Sequence, residues 1–198
     1  DRHMVAVHDV TSGYLLFMSS TTCRKPFDVA FGNFGSEIVI VGIKYVLFFT
    51  FIANHAATRH ASASFGRIGR LGTIQSYLSC AYLPNATCVV GTADGHLYVF
   101  EGSSRELAKS IKAHDGFIYS MDAPWHRAEQ VRAIVLVTGA RDGDIKLWNG
   151  ALEIISKFDN RGAGPIRSVF TSADSSRILV GSQAAAQLRE FRTSDGVP

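Results

Sequence analysis

The chain has 198 residues, 46% of them apolar and 19% charged, an ordinary balance for a folded soluble protein. That length suits one domain with a real core, or a piece of a larger one. A formal net charge of +3 is too small to point to nucleic acid, whose binding modules concentrate Lys and Arg on one face. Gly is abundant (18) and Pro scarce (5), which suits many short strands joined by tight turns.

In chain order, Val5–Val10 and Tyr14–Met18 read as the closing strands of a preceding unit, joined by a turn at Thr11-Ser12-Gly13. Pro26–Phe31, Glu37–Val41 and Tyr45–Phe51 follow. The apolar run Ile38–Ala53 looks like a membrane segment, but it is short of the roughly 20 residues a spanning helix needs. Gly42 and Lys44 also interrupt it, so two buried strands joined by a turn fit better. Ile52–Thr73, rich in Ala, Ser, Gly and Arg, is expected to be an exposed loop. Strands then recur at Tyr77–Leu83, Thr87–Val90, Phe117–Ala123, Ala133–Thr138, Pro165–Thr171 and Arg177–Val180, each bounded by turn residues. No helix is expected; Ala184–Ala186 is too short to nucleate one.

Two segments repeat. GTADGHLYVFEG from Gly91 aligns with GARDGDIKLWNG from Gly139, so that Asp94 matches Asp142, Leu97 matches Ile145, Val99 matches Leu147 and Phe100 matches Trp148. Asp94-Gly95 and Asp142-Gly143 are strong hairpin signals, because such turns need a positive φ that Gly accepts freely. Weaker copies start at Gly42 and Gly181. A period of about 40–45 residues, stretched by longer loops, is the mark of a propeller built from four-stranded blades. The expected units are 1–25 (the end of a preceding blade and a connection), 26–75 (a blade with a long basic loop), 76–113, 114–160 and 161–198. About four blades and part of a fifth are too few for a normal ring, so the chain reads as part of a longer protein completed by the rest of its own propeller; the alternatives are an unusually small ring or closure by pairing with another copy.

The segment Lys112–Asn149 resembles a WD repeat, with Ala113-His114 where the family has Gly-His and Trp148-Asn149 where it has Trp-Asp. The resemblance implies an all-β WD-type β-propeller. It also implies a buried hydrogen-bonded set of His114, Thr138, Asp142 and Trp148 with a structural role, and turns at Asp94, Gly95 and Gly143. More narrowly, the chain is similar to the echinoderm microtubule-associated protein-like family, late in its first propeller. Four stretches carry that likeness: Val7-His8-Asp9 through Phe27-Asp28-Val29; Gly42-Ile43-Lys44 with Phe48-Phe49-Thr50; Val90-Gly91 with Asp94 to Tyr98; and Gly164-Pro165-Ile166-Arg167-Ser168-Val169. The family's hydrophobic signature motif and N-terminal coiled coil are absent from the chain.

Other chemistry finds little support. Cys23, Cys80 and Cys88 are an odd, sparse set without metal spacing, which favours reduced thiols over a disulfide framework. Cys23 precedes Arg24 and Lys25 but has no catalytic partner motif. No Gly-x-Ser-x-Gly elbow is present. His55 and His60 lack further ligands for zinc. The glycines in FGRIGRLG (Gly66, Gly69, Gly72) do not form a dinucleotide fingerprint and read as loop flexibility. No catalytic residue, metal or cofactor is expected, nor any nucleic-acid, membrane or signal-peptide function.

One local asymmetry remains. Between Glu37 and Asp94 there is no acidic residue, whereas Lys44, Arg59, Arg67 and Arg70 lie there. A loop carrying Arg59, Arg67 and Arg70 would attract acidic partners. The expected function is a non-catalytic scaffold for protein interaction, cytoplasmic and cytoskeletal, with tubulin or microtubules as the partner the resemblance implies. The alternatives are an adaptor for a ciliary or signalling complex and, behind it, a hydrolase.

Overall fold

The computed structural model describes residues 3–21, 24–33, 35–51, 61–102, 104–124, 134–160, 162, 164–172, 174–184 and 188–194. Among them the regular structure is entirely β, in antiparallel sheets of consecutive strands. A hairpin of β1 (Met4–His8) and β2 (Leu15–Ser20) comes first. Two four-stranded sheets follow: β3 (Pro26–Phe31), β4 (Glu37–Gly42), β5 (Tyr45–Phe51) and β6 (Ala61–Phe65); then β7 (Tyr77–Tyr82), β8 (Cys88–Thr92), β9 (His96–Phe100) and β10 (Leu107–Lys112). The third sheet holds β11 (Ile118–Asp122), β12 (Leu136–Ala140), β13 (Asp144–Trp148) and β14 (Ile154–Asp159), and the last holds β15 (Ile166–Thr171), β16 (Arg177–Ser182) and β17 (Leu188–Arg192). This is the arrangement of propeller blades.

Position within a sheet explains the sequence pattern of each strand. Second and third strands are sandwiched between neighbouring sheets and are buried on both faces, as in β4, β5, β8, β9, β12 and β13. They therefore read as continuous apolar runs, and this accounts for the membrane-like stretch after Glu37. No described helix is long and apolar enough to cross a membrane. Fourth strands are exposed along much of their length, as in β10 and β14. Each buried cluster joins two successive sheets: Val39, Val41, Val46 and Phe48 pack on Tyr77, Cys80, Val90 and Phe100, and Ala81, Val89, Leu97 and Val99 pack on Ile118, Leu136 and Trp148. Both Cys80 and Cys88 are buried and free, and burial pushes their thiols well above the ordinary range.

First strands lie against first strands and are stitched by side chains. Asp28 Oδ2 accepts from Cys80 N at 2.9 Å, Ser79 Oγ donates to Ile118 O at 3.0 Å, Ser120 Oγ accepts from Val169 N at 3.1 Å, and Asp122 Oδ2 accepts from Thr171 N at 2.7 Å. Ser79, Ser120 and Ser168 stand opposite Gly91, Gly139 and Gly181 respectively. These glycines leave room for what packs over them. A Cβ on Gly139 would lie 2.4 Å from Ile166 Cγ2, and one on Gly91 would lie 2.4 Å from Ser79 Oγ and 2.9 Å from Ile118 Cγ2.

The pairing corrects three sequence readings. The weak copy at Gly42 is one residue out of register. Asp28, at the place of Ser79, pairs with Val41, while Gly42 pairs with Pro26 as Thr92 pairs with Tyr77. The tight Ile43-Lys44 turn, with Lys44 at φ 66°, hides this shift. The stretch expected as an exposed loop up to Thr73 contains β6, which pairs with β5; residues 52–60 lie outside the described ones. Finally, Gly66 and Gly72 are close-packing positions rather than flexible ones: a Cβ would meet the Phe100 ring at 3.0 Å and the Tyr98 ring at 2.6 Å. Only Gly69, at φ +59° with open space around it, is a turn residue.

Gly139→Ala is expected to destabilise the chain by about 1–3 kcal/mol, because a methyl group is forced against Ile166. Gly150→Ala, with nothing within 4 Å of the new Cβ, should stay within about 0.5 kcal/mol of the parent. Urea denaturation of the two variants checks the contrast.

Candidate functional site

The four residues His114, Thr138, Asp142 and Trp148 meet inside the third sheet. Thr138 and Trp148 come from β12 and β13, Asp142 from the turn between them, and His114 from the segment entering β11. Trp148 Nε1 donates to Thr138 Oγ1 at 3.0 Å, Thr138 Oγ1 lies 2.7 Å from His114 Nε2, and His114 Nδ1 lies 3.1 Å from Asp142 Oδ2. The bonds run in one consistent direction. The Thr138 oxygen accepts from indole, its proton goes to Nε2, and Nδ1–H goes to the carboxylate. Asp142 also takes the backbone N–H groups of Asp115 (2.9 Å) and Asp144 (3.0 Å). Burial alone would raise its carboxyl, but the bonds from His114, Asp115 and Asp144 hold it well below the usual carboxylate range.

A hydroxyl, an imidazole and a carboxylate in series is the order of an acyl-transfer triad. Here Thr138 is 0% exposed, His114 2% and Trp148 1%, and the Thr138 oxygen is already engaged by the indole, so a substrate has no path to it. The set pins the chain entering β11 to the β12–β13 hairpin. The turns predicted at Gly95 and Gly143 adopt φ +86° and +81°. Gly95 does more than turn: its carbonyl accepts the N–H groups of both Ala113 and His114 at 2.9 Å, and a Cβ there would lie 2.0 Å from His114 O.

The second sheet has Val90 and Phe100 where the third has Thr138 and Trp148, and fills the role differently. Thr92 Oγ1 donates to Asp94 Oδ1 at 2.6 Å, Asp94 N donates to Gln75 Oε1 at 3.0 Å, and Thr73 N donates to the Tyr98 hydroxyl at 2.7 Å. Burial works against ionisation of Asp94, yet Thr92, Gln75 and His96 bring its pKa down to about 2. Asp94, named from the sequence as a turn residue, lies in the β8–β9 turn, whereas Tyr98 and Thr73 were missed, because no motif links these two positions 25 residues apart.

Residues 105–149 match the family model described as WD domain, G-beta repeat. With the antiparallel sheets, the match is consistent with a WD-repeat β-propeller and supports a scaffold for protein interaction. It spans the whole hydrogen-bonded set. Among the described residues no three His, Cys, Asp or Glu side chains gather as a metal site would require.

The expected basic loop is only partly in view. Arg59, His55, His60 and Cys23 lie outside the described residues. Arg67 is engaged: it bridges to Glu106 at 3.0 Å and donates to Ser104 O at 3.1 Å, and its backbone pairs with Arg105 and Leu107. The stretch that is free of acids in sequence thus meets one in space. Arg70 is exposed on the turn after Gly69. Glu37, the acid before the stretch, is half-buried against Arg105 and the Tyr82 hydroxyl, and Arg105 lies 4.6 Å from the Phe48 ring centroid.

A second group of cations was not anticipated. Each first strand carries a bulge near its start, which re-aims one side chain: Phe27, Leu78, Tyr119 and Arg167. Arg167 stacks 3.9 Å over the Tyr119 ring, Arg141 lies 5.4 Å over Phe117, and Lys25 lies 5.8 Å over Phe27. Arg167 is further tied to Gln183 at 2.9 Å. Bulges leave no mark in a lone sequence, although Arg167 falls inside the quoted Gly-Pro-Ile-Arg motif.

Thr138→Val should cost at least the 1–3 kcal/mol of a buried donor left alone, about as much as Trp148→Phe removes in packing and bonding together. The pH test has a definite sign. A carboxyl depressed below 3.8 contributes stability that is complete above that value and is lost as pH falls through the lowered pKa. Asp142→Asn should therefore destabilise at pH 7 and flatten the loss of stability below pH 4, as followed by thermal melts across pH.

Proposed function

We propose that this chain is a non-catalytic propeller scaffold whose partner is an acidic protein surface, that of tubulin in microtubules. One observation carries the reading. Arg141, Arg167 and Lys25 are exposed cations seated on aromatic rings near the starts of first strands, with Arg141 on the adjoining β12–β13 turn. Stacking holds the Arg141 guanidinium in place with its N–H edge facing outward for a carboxylate, while Gln183 engages Nε and Nη2 of Arg167 and fixes that guanidinium further, and such pre-ordering reduces the entropy lost on binding. Arg59 and Arg70 add positive charge, while that of Arg67 is offset by Glu106. The likeness to the echinoderm microtubule-associated protein-like family points to tubulin among acidic partners, and on this reading the protein works on the cytoskeleton of the cytoplasm.

Co-sedimentation with taxol-stabilised microtubules tests it. Binding should be saturable and weaken steeply between low and physiological salt. Arg141→Glu with Arg167→Glu should weaken it by about tenfold or more, since two attractive contacts become repulsive. Reversal of Arg59, Arg67 and Arg70 to Glu measures the share of the other stretch. Failure to pellet at low salt would reject tubulin and leave an adaptor for a different partner.

A further inference from the structure

Two exposed arginines of the chain are neutralised by acids: Arg67 bridges to Glu106 at 3.0 Å and Arg177 to Glu190 at 2.8 Å. Arg141 and Arg167 are exposed as well, yet among the described residues neither takes part in an ion pair. The acids near Arg141 in sequence are turned to other work. Asp142 holds His114 and the N–H groups of Asp115 and Asp144, and the Asp115 carboxylate lies 3.9 Å from Lys112 Nζ.

The rings that carry the two guanidinium groups touch each other. Arg141 lies 5.4 Å over Phe117, Phe117 and Tyr119 meet edge to face with centroids 5.6 Å apart, and Arg167 lies 3.9 Å over Tyr119. Cation, ring, ring and cation form one row across the third and fourth sheets. Its three steps keep the guanidinium groups within about 15 Å of each other, a reach that about five residues of extended chain cover. Both ends are fixed. The Arg141 stem lies along Gly116, where a Cβ would meet its Cβ and Cδ at 3.4 and 3.5 Å, and Gln183 Oε1 accepts from Arg167 Nε at 2.9 Å. Phe117 and Tyr119 are half-buried, so the middle of the row offers ring surface to solvent.

We propose that this row reads an extended peptide in which an apolar residue stands between two acids at alternate positions, acid-x-apolar-x-acid. Side chains at alternate positions of an extended chain share one face about 6.6 Å apart, close to the step between the rings. The outer carboxylates go to Arg141 and Arg167, and the middle side chain covers Phe117 and Tyr119. The proposal rests on the reading of these cations as a site for an acidic partner, and adds what separates one acidic segment from another. Charge attracts any acidic chain. The rings select, because a carboxylate in the middle position gives up water for apolar surface, whereas an apolar side chain gains by the same burial. A lone phosphate would engage one guanidinium and leave the rings bare.

The probe is a fluorescein-labelled peptide, Gly-Glu-Ser-Leu-Ser-Glu-Gly, with two controls in which the Leu is replaced by Ser or by Glu. Fluorescence anisotropy at low salt should show saturable binding of the Leu peptide to the full chain, with either control weaker by about fivefold or more. Arg141→Gln with Arg167→Gln should remove binding of all three, and Tyr119→Gln should level their affinities. The ranking of the peptides on the unaltered chain decides the matter by itself, whatever Tyr119→Gln does to folding. Equal binding of the three, a firmer hold on the all-acid control, no binding, or full displacement of the Leu peptide by equimolar inorganic phosphate would overturn the proposal. Microtubule pelleting alongside equal peptide binding removes this proposal alone. Selective peptide binding by a chain that does not pellet supports it and rejects only tubulin.

Discussion

The architecture depends on how closely one sheet can approach the next. At Gly91 and Gly139 a single added carbon would collide with Ile118 or Ile166 of the following sheet. The apolar clusters on either side of these contacts are continuous, so a few tenths of an ångström there would loosen the packing of many side chains at once. Serines opposite the glycines use the same narrow gap to bond across it. Close approach and polar stitching are thus two products of one small residue.

Within that frame the sheets solve a common problem by different means. Each must hold the chain that enters it against its own central hairpin. In the third sheet a histidine, a threonine, an indole and a carboxylate do so; in the second a tyrosine hydroxyl, a threonine and a glutamine serve instead. The polar atoms of each fastening are hydrogen-bonded, which is what burial demands, and the identity of the donors is secondary. The chemistry that looks catalytic in the third sheet is therefore a fastening.

Much of the fold was legible in the sequence because both of its signals are short-range. Asp-Gly bends and aromatic strand ends aligned Gly91–Phe100 with Gly139–Trp148, and the observed registers agree residue for residue: Gly91 with Leu97, Gly139 with Ile145. The same local logic failed at Gly42, where a two-residue turn replaced the Asp-Gly bend and a glycine happened to fall one place late. It failed again at β6, whose sequence Ala-Ser-Ala-Ser-Phe carries little strand signal and is held by pairing with β5. The His114, Thr138, Asp142 and Trp148 set was legible only through its family pattern. The stacked cations were not, because Arg141 and Phe117 or Arg167 and Tyr119 come together through bulges and neighbouring strands.

The bend at Gly95 has a reach beyond its own hairpin. Its carbonyl receives the chain at Ala113 and His114, the threshold of the following sheet, so the shape of one module is handed on as the starting condition of its neighbour. Cooperativity in such an array travels stepwise between adjoining modules rather than through a shared centre. Damage at this bend would accordingly register downstream, at the imidazole of His114, as strongly as in the strands that the bend itself connects.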